Sequence, residues 1–524
     1  MASYLDDQKR NIIPLWRNYG DTALANELAF TGHRILPIRF GRFDNYVEQW
    51  RAKQSVNAAT DLINAAIISD RQHLPDVEKA AELICANGNL CSPIAVNLAS
   101  AILERPTQTV NLPGLQETEF DIKARLLIDS LKEQDQVTEA QIGLLRRQLN
   151  EYCNNPIAYC DLARCHANMG MNDKARKEML CAVQLAPHSR YVTRSAARFF
   201  VHIGEPDMAK KILMGNGWVK SDPWIMAAEI AVESVMERSS RLIKTGRALA
   251  YSGDVSAFSS SELCFAICKE DWKAGKRKDG RKMFSKGMQA PNDNCLAQAE
   301  FFAKDDANLR MDFSQYDQIM RKSEADTRNF YSSGLYDQAF LSAMEWMKDY
   351  RFSHEPKAFA FHISCIYLKK YNYAVNVAKH WLKYFPDDFP MINDIAYALG
   401  LDNKIEEAEH YLAQVSLEKQ MRTEPNNAIC LIATYGLLRY RKGEIEDGRK
   451  LYNSAIDLAK KLKKDELATK ARLNMIREEV RGVENYDESL LNEMEKLTLS
   501  SKSETIRLRK DIMEEVERKN NKKE

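Results

Sequence analysis

Apolar residues recur at three- and four-residue intervals along most of the chain, in short runs broken by Gly, Pro or Asn-Asp pairs, and this periodicity predicts a succession of amphipathic helices. The clearest stretch runs from Pro156 to Met214 and reads as two consecutive helical hairpins. In the first, a helix ends near Gly170, a second begins at Asn172 and Asp173, and Pro187 closes the unit. The second repeats those marks at Gly204, at Pro206 with Asp207, and at Gly215. Gly170 and Gly204 are 34 residues apart, as are Ala175 and Ala209, and Ala374 and Ala408. A period of that size belongs to a helix–turn–helix unit repeated along a chain.

The same reading divides the rest. Residues 1–55 have irregular apolar spacing, with a short helix expected at 21–30, a brief extended stretch and then another helix. Residues 56–152 read as degenerate, repeat-like hairpins: three amphipathic runs are split by Pro75, Gly88 and Pro93, and small residues such as Ala59, Ala66, Ala80 and Ala95 stand at helix-contact spacing. A polar, Pro-containing connection covers 105–118. FDIKARLLIDSLKE and TEAQIGLLRRQLNEY then predict an antiparallel helix pair, the second capped by Thr138 with Gln141. Residues 153–251 form the first clear array, including a helix that starts at Pro223 with Ser221 or Asp222 as its N-cap. Residues 252–324 are expected to be an irregular helical connector with a basic loop and one helix at 295–303. Residues 325–482 read as a second array closed by a helix at 465–480. The tail, 483–524, is highly charged with sparse apolar residues and reads as a frayed or partner-dependent helix at best.

The residues of 156–189 resemble the tetratricopeptide repeat (TPR) family. Tyr159, Leu162, Ala163, His166, Ala175, Met179, Ala182 and Pro187 stand where the family pattern has a large residue, Leu, a small residue, an aromatic, Ala, an aromatic, Ala and Pro. Ala163 and Ala175 fall where the two helices of a hairpin touch, and only a small side chain there lets the axes approach. The next hairpin supplies Ala197, Phe200, Gly204, Ala209 and Leu213, and its stretch RSAARFFVHIGEPDMAKKIL resembles bacterial TPR proteins. A unit near Glu355 has Cys365, Ala374, Ala378, Trp381 and Pro386, but His362 where a small residue is usual; one near Ile429 has Gly436, Gly443, Gly448, Tyr452 and Ala455. The resemblance covers 156–215 and 325–460 best and implies an all-α, right-handed α-solenoid of TPR and TPR-like helical hairpins.

Composition agrees with a helical chain that builds a continuous core: hydrophobic residues make up 45% of 524 positions. With 75 basic against 74 acidic residues the net charge is +1, so any charge-driven binding must be local. The N-terminus MASYLDDQKR carries acids and no apolar core, unlike a secretory signal, and no apolar run is long enough for a membrane span. Eleven scattered cysteines fit small hydrophobes in a reducing, cytoplasmic setting better than disulfides.

TPR arrays bind through a concave face lined by their first helices. The resemblance places Arg164, Asn168, Tyr191, Arg194, Arg198 and His202 on that face in the first array, and Asn393, Tyr397, Tyr440 and Arg441 in the second. Arg194 and Arg198 share a helical face at i,i+4, with Arg164 on the neighbouring helix, and three guanidiniums in one groove suit an acidic peptide. The competing reading has them paired with nearby acids such as Asp161. Cys160 and Arg164 replace the Lys and Asn of a chaperone-type carboxylate clamp, so a chaperone tail is not the first choice of ligand.

Other chemistry is thinner. The run Lys273, Lys276, Arg277, Lys278, Arg281 and Lys282 beside Trp272 could hold nucleic-acid phosphates or could be a solvated loop. Cys153, Cys160, Cys165, His166, Cys181, Cys264 and Cys268 lack a CxxC pair, and core thiols are favoured over a metal site. No phosphate loop, HExxH or GxSxG occurs, and no catalytic residue, cofactor or metal is assigned. His33, Arg34, Arg39, Arg42 and Asp44 leave open an effector with a catalytic role in residues 1–55. The expected function is a scaffold or adaptor that binds a partner segment in the groove. The alternatives are a nucleic-acid-associated regulator acting through 273–282, or that effector.

Overall fold

The computed structural model describes residues 10–18, 42–104, 118–498 and 503–523, and the only regular elements among these are helices, with no strand. The expected helix at 21–30, together with His33, Arg34 and Arg39, lies outside the described residues. Two compact units form: an N-terminal unit of Arg10–Leu335 with Glu345–Ser353, and a C-terminal unit of Tyr336–Met344 with the chain from His354 onward. No helix among the described residues is long and apolar enough to cross a membrane.

The N-terminal unit begins with α1 (Phe43–Ala52), α2 (Val56–Ile68), α3 (Pro75–Ala86), α4 (Pro93–Leu103) and α5 (Glu119–Glu151). Its regular part runs through α6 (Pro156–Asn168), α7 (Asn172–Leu185), α8 (Arg190–His202), α9 (Pro206–Gly215), α10 (Pro223–Val235) and α11 (Ile243–Tyr251). It continues with α12 (Ala257–Lys273), α13 (Arg277–Gly287), α14 (Asp293–Asp305) and α15 (Ser323–Ser332). Caps set several starts. Asn155 accepts from the amides of Ile157 and Ala158 ahead of α6, and Asp222, rather than Ser221, caps α10 through the amides of Trp224 and Ile225. From α1 to α13 each helix packs on the next, as does α14 on α15, and α6, α8, α10, α12 and α14 also pack on one another in turn.

Two expectations are corrected here. The antiparallel pair expected within 119–151 is one continuous helix, α5. No Pro interrupts it, Gly143 sits within it where a Cβ would stand 2.6 Å from the Asn64 amide, and Thr138 does not cap: its hydroxyl donates to the Gln134 carbonyl at 2.8 Å, inside the helix. Arg351 seals that point by donating to Gln134 O and Thr138 Oγ1 and by pairing with buried Asp135. Within the helical connector expected at 252–324, the helix expected at 295–303 is α14, but the basic stretch before it is a hairpin of α12 and α13 and not an irregular loop. Two of its glycines are contact points: a Cβ at Gly280 would stand 2.8 Å from the Trp272 ring, and one at Gly287 would stand 2.9 Å from the Phe265 ring.

The C-terminal unit holds the first part of α16 (Tyr336–Asp349), then α17 (Glu355–His362), α18 (Tyr371–Leu382), α19 (Phe389–Leu401), α20 (Ile405–Leu412) and α21 (Leu417–Thr423). After these come α22 (Pro425–Arg441), α23 (Ile445–Lys461), α24 (Asp465–Gly482), α25 (Ser489–Thr498) and α26 (Ser503–Lys523). At His362, the bulky residue in a small-residue position, α17 gives way to a π-turn over Ile363–Tyr367, widening the helix where the ring must fit. The charged tail is not frayed. Met494, Leu508, Ile512 and Val516 are buried against Leu473, Ile476 and Val480 of α24, because 508, 512 and 516 share one helical face.

Close approach of axes is clearest between α22 and α23. A Cβ at Gly436 would stand 2.8 Å from Tyr452 Cδ2, and one at Gly448 would stand 2.5 Å from Tyr440 Cδ2, so each glycine receives the other helix's ring. Alanine is the better helix former by about 1 kcal/mol, but overpacking costs about 1–3 kcal/mol. Overpacking should win, because the Tyr440 hydroxyl is tied to Glu479 and its ring has little room to move. Gly448→Ala is therefore expected to lower the urea midpoint of the C-terminal unit while preserving helical circular dichroism; a raised midpoint would refute the contact.

Candidate functional site

In the N-terminal unit the face lined by the first helices of the hairpins is covered by the chain itself. Residues 10–18, Arg-Asn-Ile-Ile-Pro-Leu-Trp-Arg-Asn, lie there outside any helix. Pro14 excludes a regular helix across this stretch, and Ile12, Ile13 and Trp16 are buried. Trp16 is fully enclosed, with its ring centroid 5.7 Å from Phe199 of α8 and 5.3 Å from Phe352.

Polar contacts fix both ends of the segment. Arg10 donates from Nε to Glu324 Oε1 of α15 at 2.7 Å, from Nη2 to Glu324 Oε2 at 3.0 Å and to Asn294 Oδ1 of α14 at 2.8 Å, and from Nη1 to Gln298 Oε1 at 2.9 Å. Its carbonyl accepts from Lys269 of α12. Asn294 Nδ2 donates to the Ile13 carbonyl at 3.1 Å. At the other end Arg17 pairs with Asp293 at 2.6 Å and Asp349 at 3.5 Å, and its carbonyl accepts from the Tyr191 hydroxyl at 2.8 Å. Asn18 Oδ1 accepts from Arg164 Nε at 2.9 Å.

The electrostatics follow from burial. Desolvation alone would raise the Glu324 carboxyl, but Arg10 and Arg328 hold it down to about 2. Burial works against the Arg17 cation, yet Asp293, Tyr350 and Asp349 outweigh it and its pKa is raised. Asp349 is the weaker counter-ion: burial pushes its carboxyl up despite Arg17. Burial beside Asp161 keeps the Tyr191 phenol protonated, so it donates to Arg17 O and to Asp161.

This geometry accounts for most of the residues expected to bind a partner. Arg194 is buried and donates to Glu262 Oε2 at 3.0 Å; Glu262 Oε1 accepts from Asn292 and Asn294, the latter of which holds Ile13 and Arg10. Arg198 lies over the Tyr350 and Phe352 rings, and His202 meets Phe352 edge-on. Asn168 is buried in α6. Arg164, Tyr191, Arg194, Arg198 and His202 therefore do meet on one face, but engaged by residues of the same unit. The charge that face offers to the cations of the segment is negative, from Asp293, Glu324 and Asp349. The acidic ligand expected from three free guanidiniums has no such cluster to meet, because Asn18, Glu262 and two rings take them up.

In the C-terminal unit Tyr397 donates to Asn474 Oδ1 at 3.0 Å and accepts from Arg477, Tyr440 donates to Glu479, and Arg441 pairs with Glu478 at 2.6 Å. Asn393 borders a small cavity with Phe389, Val415 and Cys430. Compared with family models and with curated proteins, the sequence matches none.

The remaining chemistry is placed as follows. The basic run ends α12 and opens α13. Lys273 pairs with Glu270, Arg281 with Asp306 and Lys282 with Asp279, and Arg277 stacks on Trp272, leaving Lys276 and Lys278 exposed without an acidic contact among the described ion pairs. Cys160, Cys165, Cys264 and Cys268 are buried, and burial pushes the Cys165 thiol up to about 12, far from thiolate chemistry at neutral pH. Arg42 stands at the N-terminal boundary of α1 without a side-chain capping bond, and Asp44 meets Arg71 at 3.6 Å on the surface. Residues 10–18 were missed because they fit no helix period. Their signal was an apolar cluster around a proline, bracketed by arginines, which has to be buried somewhere.

Glu324 sets a pH dependence. Its folded pKa lies below the unfolded value of about 4.5, so its contribution is fully present above about 4.5 and fades as pH falls toward about 2. Glu324→Gln is expected to cost on the order of 3 kcal/mol at pH 7, with the gap to wild type constant down to about pH 4.5 and narrowing below it. Chemical unfolding at stepped pH measures this, and a gap independent of pH down to 3 would refute the assignment.

Proposed function

We infer that the chain is a protein–protein interaction scaffold, a right-handed α-solenoid of TPR-like hairpins that holds an extended segment of a partner along the face made by its first helices. The observation that carries this reading is the segment already seated there: nine residues gripped through both side chains and carbonyls by α6, α8, α12, α14 and α15. A face that holds one non-helical peptide by these means has the shape and donors to hold another. The solenoid assignment is supported by successive packing of α6, α8, α10, α12 and α14, and by small residues at hairpin contacts, Ala163 and Ala175 among them, both fully buried. Buried free thiols fit the cytoplasmic placement that goes with it.

The mechanism is pre-organisation. A surface whose charged groups are already oriented by buried partners, as Glu262 and Asn294 are, loses little freedom when a ligand arrives, so more of the contact energy appears as affinity. Selection of displayed random peptides on the full chain tests the reading. Enrichment of a common motif, with binding cut at least tenfold by Glu324→Gln or Asp293→Asn, is the expected result. No enriched peptide, or binding indifferent to both substitutions, would sink it.

A further inference from the structure

We propose that residues 10–18 are a resident pseudo-ligand, and that the partner is a segment of the same chemistry that displaces them: two arginines seven positions apart, enclosing a branched apolar pair and a tryptophan. The proposal rests on the scaffold reading and adds the partner's class to it.

Charge fixes the sign of that partner. The face meets the first arginine with Glu324, backed by Asn294 and Gln298, and the second with Asp293 and Asp349. A ligand with acids at those places would set carboxylate against carboxylate in a buried site. Shape fixes its middle: Trp16 fills a slot between Phe199 and Phe352, and Tyr350 completes the wall beneath Arg17 and Arg198. The apolar residues and the two arginines must arrive in register, since a one-residue slip would leave a buried arginine without its acid.

The seating is that of a ligand as much as of a core element. The segment belongs to no helix, and its polar anchors come from residues at least 146 positions away in sequence. Such an occupant competes as an intramolecular ligand. An incoming segment must match it in chemistry and exceed it in local concentration or contacts. The arrangement is thus an autoinhibited peptide site.

The test uses the full chain and a fluorescein-labelled peptide of sequence RNIIPLWRN, read by anisotropy. Wild-type protein is expected to bind it weakly, and Trp16→Ala/Arg17→Ala, which loosens the resident copy, at least tenfold more tightly. Adding Glu324→Gln to that variant should reduce binding about tenfold, and a peptide with both arginines changed to glutamate should not bind. Unchanged affinity in the double variant with native helicity would make the segment a permanent strut and overturn the proposal. So would equal binding of the glutamate peptide, or a segment-exchanged dimer detected by light scattering. Should the double variant lose helicity, hydrogen exchange on the wild type decides: amides of 10–18 are expected to exchange at least a hundredfold faster than those of α8, and equal rates overturn it. If random peptides are enriched but RNIIPLWRN does not compete with them, this inference fails while the scaffold reading stands.

Discussion

A helical hairpin has more apolar and charged surface than its own two helices can cover, and that constraint governs the described structure. One side is met by the other helix of the same hairpin, which demands small residues where the axes approach. Gly436 and Gly448 take the rings of Tyr452 and Tyr440, and Ala163 and Ala175 have no exposed surface at all. The face made by the first helices is not met that way. In the N-terminal unit it carries Phe199, Glu262, Asn294 and Glu324, a mixture that would be costly to bury without partners and wasteful to leave bare. Residues 10–18 supply those partners. In the C-terminal unit α26 serves its own neighbours comparably, with buried Glu504 facing Lys470 and His362, and Lys369 facing Asp511.

Local features of the fold were legible because they depend on local rules. The 34-residue spacing, the capping residue before Pro223, and the glycine-marked turns between α6 and α7 and between α8 and α9 all appear where side-chain chemistry puts them. Failures came where a local rule met a longer-range demand. Thr138 looked like a cap, but Asp135 and Thr138 face Arg351, more than two hundred residues on, and that contact makes a continuous α5 worth keeping. The stretch 252–324 read as an irregular connector, yet Gly280 and Gly287 are places where an aromatic ring presses on a helix backbone. The tail looked too polar to fold, but its few apolar residues share one stripe.

The grouping of side chains on the first helices was legible in the sequence, and the groups opposite them were not. Arg164, Tyr191, Arg194 and Arg198 do converge, since their spacing on first helices dictates it. What a sequence window cannot give is the identity of the groups opposite them. Glu262 lies 68 residues from Arg194, and Asn18 lies 146 residues from Arg164. Once those partners are in place, the cations are structural, and the acids Asp293 and Glu324 are taken by Arg17 and Arg10 of the segment. Counting arginines on a helix face therefore overstates its positive potential, because a buried guanidinium is tolerated only with its counter-charge already present.

The same reasoning explains why the occupant has the composition it has. A non-helical stretch crossing a folded face must bring its own satisfaction for backbone carbonyls, and three of them here, from Arg10, Ile13 and Arg17, accept from Lys269, Asn294 and Tyr191. Pro14 narrows the conformations the free segment would explore and so lowers the cost of ordering it. Ile12, Ile13 and Trp16 provide non-directional attraction, which by itself would let the segment slide. Arg10 and Arg17, each answering to acids at fixed places on α14 and α15 or beside them, prevent that. Apolar burial holds the peptide to the face, and the paired charges decide where along it the peptide stops.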